Sequence, residues 1–237
     1  MKNLLLMEAL EGTPANASSP CLFWMVYNMP VLIVGLTGNY GMGKSTVLRM
    51  FRELGAVTLE TDEIVDTLLH NDAIVGTIRE ILGDDVIDAN GKLDRAKVAA
   101  RIFRDKQLRE ALEGFIHPLV FQKIRDFLDN RGSMGGKNEV VIVEIPLLFE
   151  KDYADRFRRT VAVYCSQEAV LKRLEGLGID REDVLMRSRA QLPADEKVRK
   201  SDFAINNDGP LEETADQVAA VYRVFLDDLE AERQGKQ

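Results

Sequence analysis

The chain alternates short apolar runs with longer stretches of helical spacing. Val31-Leu32-Ile33-Val34 is fully apolar and enters a glycine-rich turn, after which Thr46 to Leu54 places apolar residues three and four apart. That order predicts strand, loop, helix. Ala56 to Leu59 predicts a second strand, and Thr61 and Asp62 are capping candidates for a helix reaching about His70. From Ala73 to Asn130 the apolar positions keep helical spacing, through Ile78 and Leu82, then Val98, Ile102 and Phe103, then Leu108, Leu112, Ile116 and Leu119. Several consecutive amphipathic helices are predicted there, with a turn at Asp88 to Gly91 and a return to the core at residues 131–136. Glu139 to Ile145 and Thr160 to Tyr164 are apolar on both faces, as central strands of a parallel sheet are. Ser166 to Leu174 predicts a helix, Lys172 to Arg189 is a charged segment, Phe203 to Ile205 predicts a strand, and Leu211 to about Glu230 a closing helix. Strands alternating with helices give an α/β fold with a doubly wound parallel sheet.

Composition narrows this picture. At 237 residues the chain suits one α/β unit with small inserted lobes. Its net charge of -8, from 39 acidic and 31 basic residues, argues against a nucleic-acid partner. Two cysteines, Cys21 and Cys165, are too few for a disulfide framework or a metal cluster, so a cytoplasmic setting is the expectation. Cys165 ends an apolar run and reads as the end of a buried strand. Residues 1–29 break their apolar runs with Glu8 and a Gly/Pro/Ser/Asn stretch, and read as a disordered or dispensable extension rather than a secretory signal. No uncharged apolar run approaches the ~20 residues of a membrane span.

The chemistry concentrates at Gly38-Asn39-Tyr40-Gly41-Met42-Gly43-Lys44-Ser45, a G-x-x-x-x-G-K-S sequence between a predicted strand and a predicted helix. Glycines let such a loop wrap its backbone N–H groups around a polyphosphate, and the helix presents its N-terminus to the same anion. Lys44 is expected to reach the β- and γ-phosphates of ATP and Ser45 to ligate Mg²⁺, with Thr46 completing the cradle. The Asn-Lys-x-Asp segment of guanine-specific proteins is absent. Asp62, directly after the second strand, falls at the carboxyl edge of a doubly wound sheet, where a carboxylate can accept a hydroxyl proton or simply cap a helix.

Taken in order, these segments resemble the dephospho-coenzyme A kinase family from about Val31 to the closing helix. Beside the P-loop the resemblance rests on Thr61-Asp62-Glu63-Ile64, on Ile116-His117-Pro118-Leu119-Val120, and on Val140 to Glu150 with its Pro146-Leu147-Leu148 step. It rests further on Arg187 to Gln191 and on Asp202 to Gly209. The resemblance implies a P-loop nucleoside triphosphate hydrolase type of sheet in three parts. These are a core of residues 30–61, 137–171 and 192–237, a helical acceptor lobe of about 62–136, and a lid of about 172–191. It implies ATP- and Mg²⁺-dependent phosphorylation of the ribose 3′-hydroxyl of dephospho-coenzyme A, the last step of coenzyme A synthesis. Asp62 becomes the general base and Arg187 the cation that neutralises the transferring phosphoryl group, unless Arg187 is only part of a solvated helix face. His117 reads as a helix-junction or pocket-wall residue, and Pro146, Leu147 and Leu148 as shaping the acceptor pocket. Glu144 is a lesser candidate for a metal-associated carboxylate. Asn207 stands near the ATP base or shapes the turn before Gly209.

The sequence also departs from the family's pattern. The loop interior carries Asn39, Tyr40 and Met42 where Gly, Ile and Ser are usual. Asp66 stands where a basic residue is usual, four positions after Asp62. The run Arg173 to Gly178 lacks a second arginine, for which Arg181 is a candidate substitute. The competing readings are another P-loop phosphotransferase with a smaller acceptor and a nucleotide-controlled binding protein, which would need no base at Asp62.

Overall fold

A computed structural model describes residues 31–133, 139–189 and 191–234. The N-terminal extension, Cys21 and residues 134–136 of the expected return turn lie outside them. Five strands, β1 (Val31–Thr37), β2 (Val57–Glu60), β3 (Glu139–Glu144), β4 (Arg159–Tyr164) and β5 (Phe203–Asn206), form one parallel sheet in the order β2-β3-β1-β4-β5. Val34 of β1 stands opposite Arg159 of β4, and Val161 of β4 opposite Phe203 of β5. The oldest strand in chain order is therefore the middle one, and the loop that leaves its carboxyl end is at the topological switch point where α/β sheets bind ligands.

Two compact units divide the described chain. One holds residues up to 57, 139–142 and everything from 146 onward, and the other holds 58–133 and 143–145. In the first, α1 (Lys44–Glu53) and the closing helix α9 (Leu211–Gln234) supply Val47, Leu48, Phe51, Val218, Tyr222 and Phe225 to a core shared with β1, β4 and β5. Phe51, Phe203 and Phe225 pack ring on ring, with centroids 6.1 and 5.4 Å apart about Phe225. Arg159 donates to both carboxylate oxygens of Asp228, at 2.8 and 3.3 Å, and so ties α9 to β4.

The second unit is helical. It contains α2 (Thr61–Leu68), α3 (Asp72–Leu82), α4 (Arg95–Arg104) and α5 (Lys106–Ser133). Asn71 and Asp94 start α3 and α4 by accepting from the N–H groups of Ala73, and of Ala96 and Lys97. Pro118 lies inside α5, so the His117-Pro118 pair sits mid-helix; of the two roles expected for His117, a helix junction does not occur there and a pocket wall stays open. Proline removes one helical hydrogen bond there, and its cost is met by the flanking turns. Phe103, read as apolar-face, is 65% exposed.

Three further helices belong to the first unit: α6 (Gln167–Glu175), α7 (Arg181–Arg189) and α8 (Ala194–Lys200). Ser166 caps α6 by accepting from Ala169 N–H. The charged stretch after α6 thus contains a helix, and α8 was not expected at all. Cys165 is buried at the end of β4, as its place in the sequence predicts.

Candidate active site

The loop between β1 and α1 is built by three left-handed glycines. Gly38, Gly41 and Gly43 have φ of 153°, 78° and 89°. At Gly43 the requirement is double: the conformation is one that side chains rarely adopt, and a Cβ there would fall 2.0 Å from Asn207 Nδ2. Gly43 is also the N-cap of α1, with no side chain closing the helix end. The N–H groups of a helix's first turn, at the positive end of its dipole, are what an anion binds. Lys44 Nζ reaches the Asn39 carbonyl at 3.4 Å, and Ser45 is exposed in the first turn of α1.

Around this loop the polar groups are buried and mostly paired. Asn207, 3% exposed, donates from Nδ2 to Met42 O at 2.9 Å, accepts from Thr214 Oγ1 at 3.1 Å, and donates its own N–H to Tyr164 O at 2.8 Å. Its carbonyl accepts from Arg173 Nη2. Its side chain therefore ties the backbone of the loop to Thr214 of the closing helix. Asn39, also 3% exposed, donates to Leu192 O at 2.9 Å, and Tyr40 N–H donates to Gln191 Oε1 at 2.9 Å. The Arg187 guanidinium stacks over the Tyr40 ring, 4.8 Å from its centroid. Met42 is buried with Cys165, Val170, Leu171, Leu174 and Val184, so the unusual interior of the loop is used to pack α6 and α7. A cavity of about 660 Å³ opens beside Asn39, Tyr40, Met42, Val184 and Gln191.

One residue that sequence reasoning missed is Lys197. It is 1% exposed, donates to Pro146 O at 2.8 Å and pairs with Glu150 Oε1 at 2.9 Å. Thr37 Oγ1 donates to the same Pro146 carbonyl at 3.2 Å, and Leu192 N–H donates to the same Glu150 oxygen at 3.0 Å. Burial pushes the Lys197 ammonium below the ordinary lysine value, the Glu150 carboxylate holds it up, and the charge of Lys44 pushes it down again. Of the other residues expected here, Leu147 is half-buried, whereas Leu148 has no exposed surface.

In the helical unit, Asp62 is exposed in the first turn of α2, beginning where Thr61 Oγ1 donates to Glu144 O at 2.9 Å. Glu144 itself is 8% exposed. Asp66, the reversed charge, pairs with Arg95 Nη2 at 2.7 Å, so a guanidinium stands beside that position after all. His117 lines an apolar cavity of about 250 Å³ with Val65, Leu69, Ile102, Arg95 and Ile116. Arg181, a candidate substitute in the lid segment, pairs with Glu175 at 3.7 Å on the surface. Among the described residues no cluster of His, Cys, Asp and Glu is placed to hold a metal alone, and no helix is long and apolar enough to cross a membrane.

Comparison with known proteins decides the family. The dephospho-CoA kinase family model matches residues 32–213. The chain belongs to the dephospho-CoA kinase family. It is 33% identical to a dephospho-CoA kinase of Aquifex aeolicus over 196 residues, covering 82% of this chain and 98% of the relative. The dephospho-CoA kinase of Geobacillus kaustophilus is 34% identical over 194 residues, covering 81% and 96%. Among solved structures, TT1252 of Thermus thermophilus superposes with a TM-score of 0.72 at 31% identity, covering 83% of this chain and 97% of that one. A dephospho-CoA kinase of Campylobacter jejuni, at 23% identity and a TM-score of 0.53 over 82% and 97%, shares the fold.

Proposed function

We propose that this member of the dephospho-CoA kinase family transfers the γ-phosphoryl group of ATP to the ribose 3′-hydroxyl of dephospho-coenzyme A. The observation that carries the reading is the phosphate loop, whose glycines 38, 41 and 43 open the uncapped N-terminus of α1 beside Lys44, within a chain matched to the family from residue 32 to 213.

In this reading the N–H groups of the loop and Lys44 bind and orient the β- and γ-phosphates. Ser45 suits Mg²⁺, since its hydroxyl is exposed at the first turn of the uncapped helix; the ion would supply charge neutralisation between the phosphates. Thr46 sits in the same first turn, and Asn207 keeps the loop in shape through Met42 O. Asp62 takes the proton of the 3′-hydroxyl as its oxygen bonds to the γ-phosphorus, the bond from that phosphorus to the β–γ bridging oxygen breaks, and ADP leaves. Arg187, stacked on Tyr40, offsets charge on the transferring group. Pro146 and Leu147 are acceptor-binding residues in this reading, as is His117, which lines an apolar cavity of the helical unit; Leu148 is fully buried and can serve only as support. The partner is a small molecule, and the setting of such a reaction is the cytoplasm.

The test is ATP- and Mg²⁺-dependent ADP formation with dephospho-coenzyme A, compared with AMP, CMP, shikimate and buffer alone. Turnover selective for dephospho-coenzyme A supports the reading. Equal or greater turnover with a small acceptor would transfer the assignment to another P-loop phosphotransferase, and nucleotide binding without any acceptor-dependent ADP would make the chain a nucleotide-controlled binding protein.

A further inference from the structure

A lysine with 1% of its surface exposed is costly, because its charge loses water that neutral residues of the same size would not need. Lys197 keeps that charge, and its bonds show what the charge holds. The ammonium grips Pro146 O, where the chain leaves β3, and Glu150 Oε1 four residues on. That same Glu150 oxygen accepts from Leu192 N–H, while Leu192 O accepts from Asn39 in the phosphate loop. Gln191, its neighbour, accepts from Tyr40 N–H. Thr37, the last residue of β1, shares the Pro146 carbonyl with Lys197. The phosphate loop is thus bonded at Asn39 and Tyr40 to the segment that follows α7, and Leu192 carries the Asn39 link on to the buried ion pair, while Thr37 at the end of β1 shares the Pro146 acceptor with Lys197. Arg187 of α7 stacks on the Tyr40 that this network fixes.

We propose that Lys197 is a positioning residue for phosphoryl transfer: through Glu150, Pro146 and Leu192 it holds the chain after α7 against the phosphate loop, and so sets where Arg187 stands. Lys197 makes no contact with the reacting atoms in this account. It acts because a buried pair has one geometry, whereas the exposed arginine it serves has many. The proposal rests on the reading of the loop as the ATP site and of Arg187 as the charge-offsetting group. In α8 itself Pro193 is the N-cap, Asp195 and Glu196 fill the first turn, and Lys197 turns inward where an apolar residue would be usual.

The experiment uses the full chain carrying Lys197→Met, which keeps most of the length of the side chain and removes its charge, and Gln191→Ala, which cuts the half-buried anchor to Tyr40 N–H. Amide hydrogen exchange is read at Leu192 and Tyr40 against Val161 to Val163 of β4. The proposal expects Lys197→Met to speed exchange at Leu192 and Tyr40 by at least about tenfold more than in β4, as a local opening does. Uniform acceleration across all of them, or none at Leu192 and Tyr40, overturns it. In turnover, both variants should lower kcat more than they raise the KM for ATP, and the double variant should fall no further than Lys197→Met alone, since residues of one network are not additive. Multiplying losses in the double variant would also overturn it. If the unaltered chain fails to phosphorylate dephospho-coenzyme A, the functional reading fails, while the exchange measurement still decides whether the network exists.

Discussion

Each of the two units of this molecule contains an ion pair, and the two pairs are of nearly equal length. Lys197 and Glu150 meet at 2.9 Å with side chains 1% and 14% exposed, whereas Asp66 and Arg95 meet at 2.7 Å with side chains 53% and 65% exposed. Distance alone would rank them together. Their surroundings do not: in the first, Lys197 also donates to Pro146 O and the same Glu150 oxygen also accepts from Leu192 N–H, whereas the second is exposed to solvent. Removing one partner of a buried pair strands a charge, while an exposed pair loses only a screened attraction. The nucleotide side of the molecule is therefore fixed by buried, mutually bonded groups. In the helical unit Glu144 is buried, but Asp66 and Arg95 stand in solvent, where a charge can be exchanged at little cost.

The comparison is broken most severely by Asp62, an exposed residue whose loss should be expensive. Asp62→Asn is expected to lower phosphoryl transfer by roughly 10²–10⁴ while leaving thermal stability and ATP affinity nearly unchanged, the scale of general-base catalysis; steady-state turnover beside a nucleotide titration checks it. Near-normal turnover would remove Asp62 from the mechanism. On the buried side, Lys197→Met should cost about 3–5 kcal/mol of stability, because Glu150 then keeps a buried charge without its cation. Changing both to neutral residues should recover much of that loss, and denaturant unfolding of the single and double variants measures both.

Gly43→Ala comes next. Its Cβ would strike Asn207 Nδ2 and its backbone would keep a φ of 89°, a strain of about 1–3 kcal/mol. The cost should appear as weakened ATP binding in calorimetry, with the sheet intact by circular dichroism. The smallest effect belongs to the exposed pair. A double-mutant cycle of Asp66→Ala and Arg95→Ala should give a coupling of about 0–1 kcal/mol that shrinks as salt is added. A coupling several times larger would mean that the helical unit also relies on fixed ionic geometry.

What was legible in the sequence follows the same division. The strand, glycine loop and helix from Val31 to Leu54 were readable because each local signal agrees with the next, and the parallel sheet followed from apolar runs at β3 and β4. The helical unit was readable as helices but not in its details. His117 was legible as a junction or pocket-wall residue, and local pattern could not choose between the two; α5 runs through Pro118, and His117 lines a cavity. Helix α8 escaped entirely: periodicity is read from apolar residues, and the residue that α8 turns inward is Lys197. Asn207 was legible as a residue near the nucleotide or a shaper of its own turn, but its bond to Met42 O spans a separation of 165 residues that no local pattern reports. Arg95 drew no attention because nothing in its own segment marks it; only its approach to Asp66 does.

The most direct test of the account is the position of the phosphate in the product. Dephospho-coenzyme A is incubated with the chain, ATP and Mg²⁺, and the product is mapped by proton–phosphorus correlation NMR. The account predicts a new monophosphate coupled to the ribose H3′, with one ADP formed per product. A phosphate at another hydroxyl, or ADP formed without a phosphorylated acceptor, would contradict it.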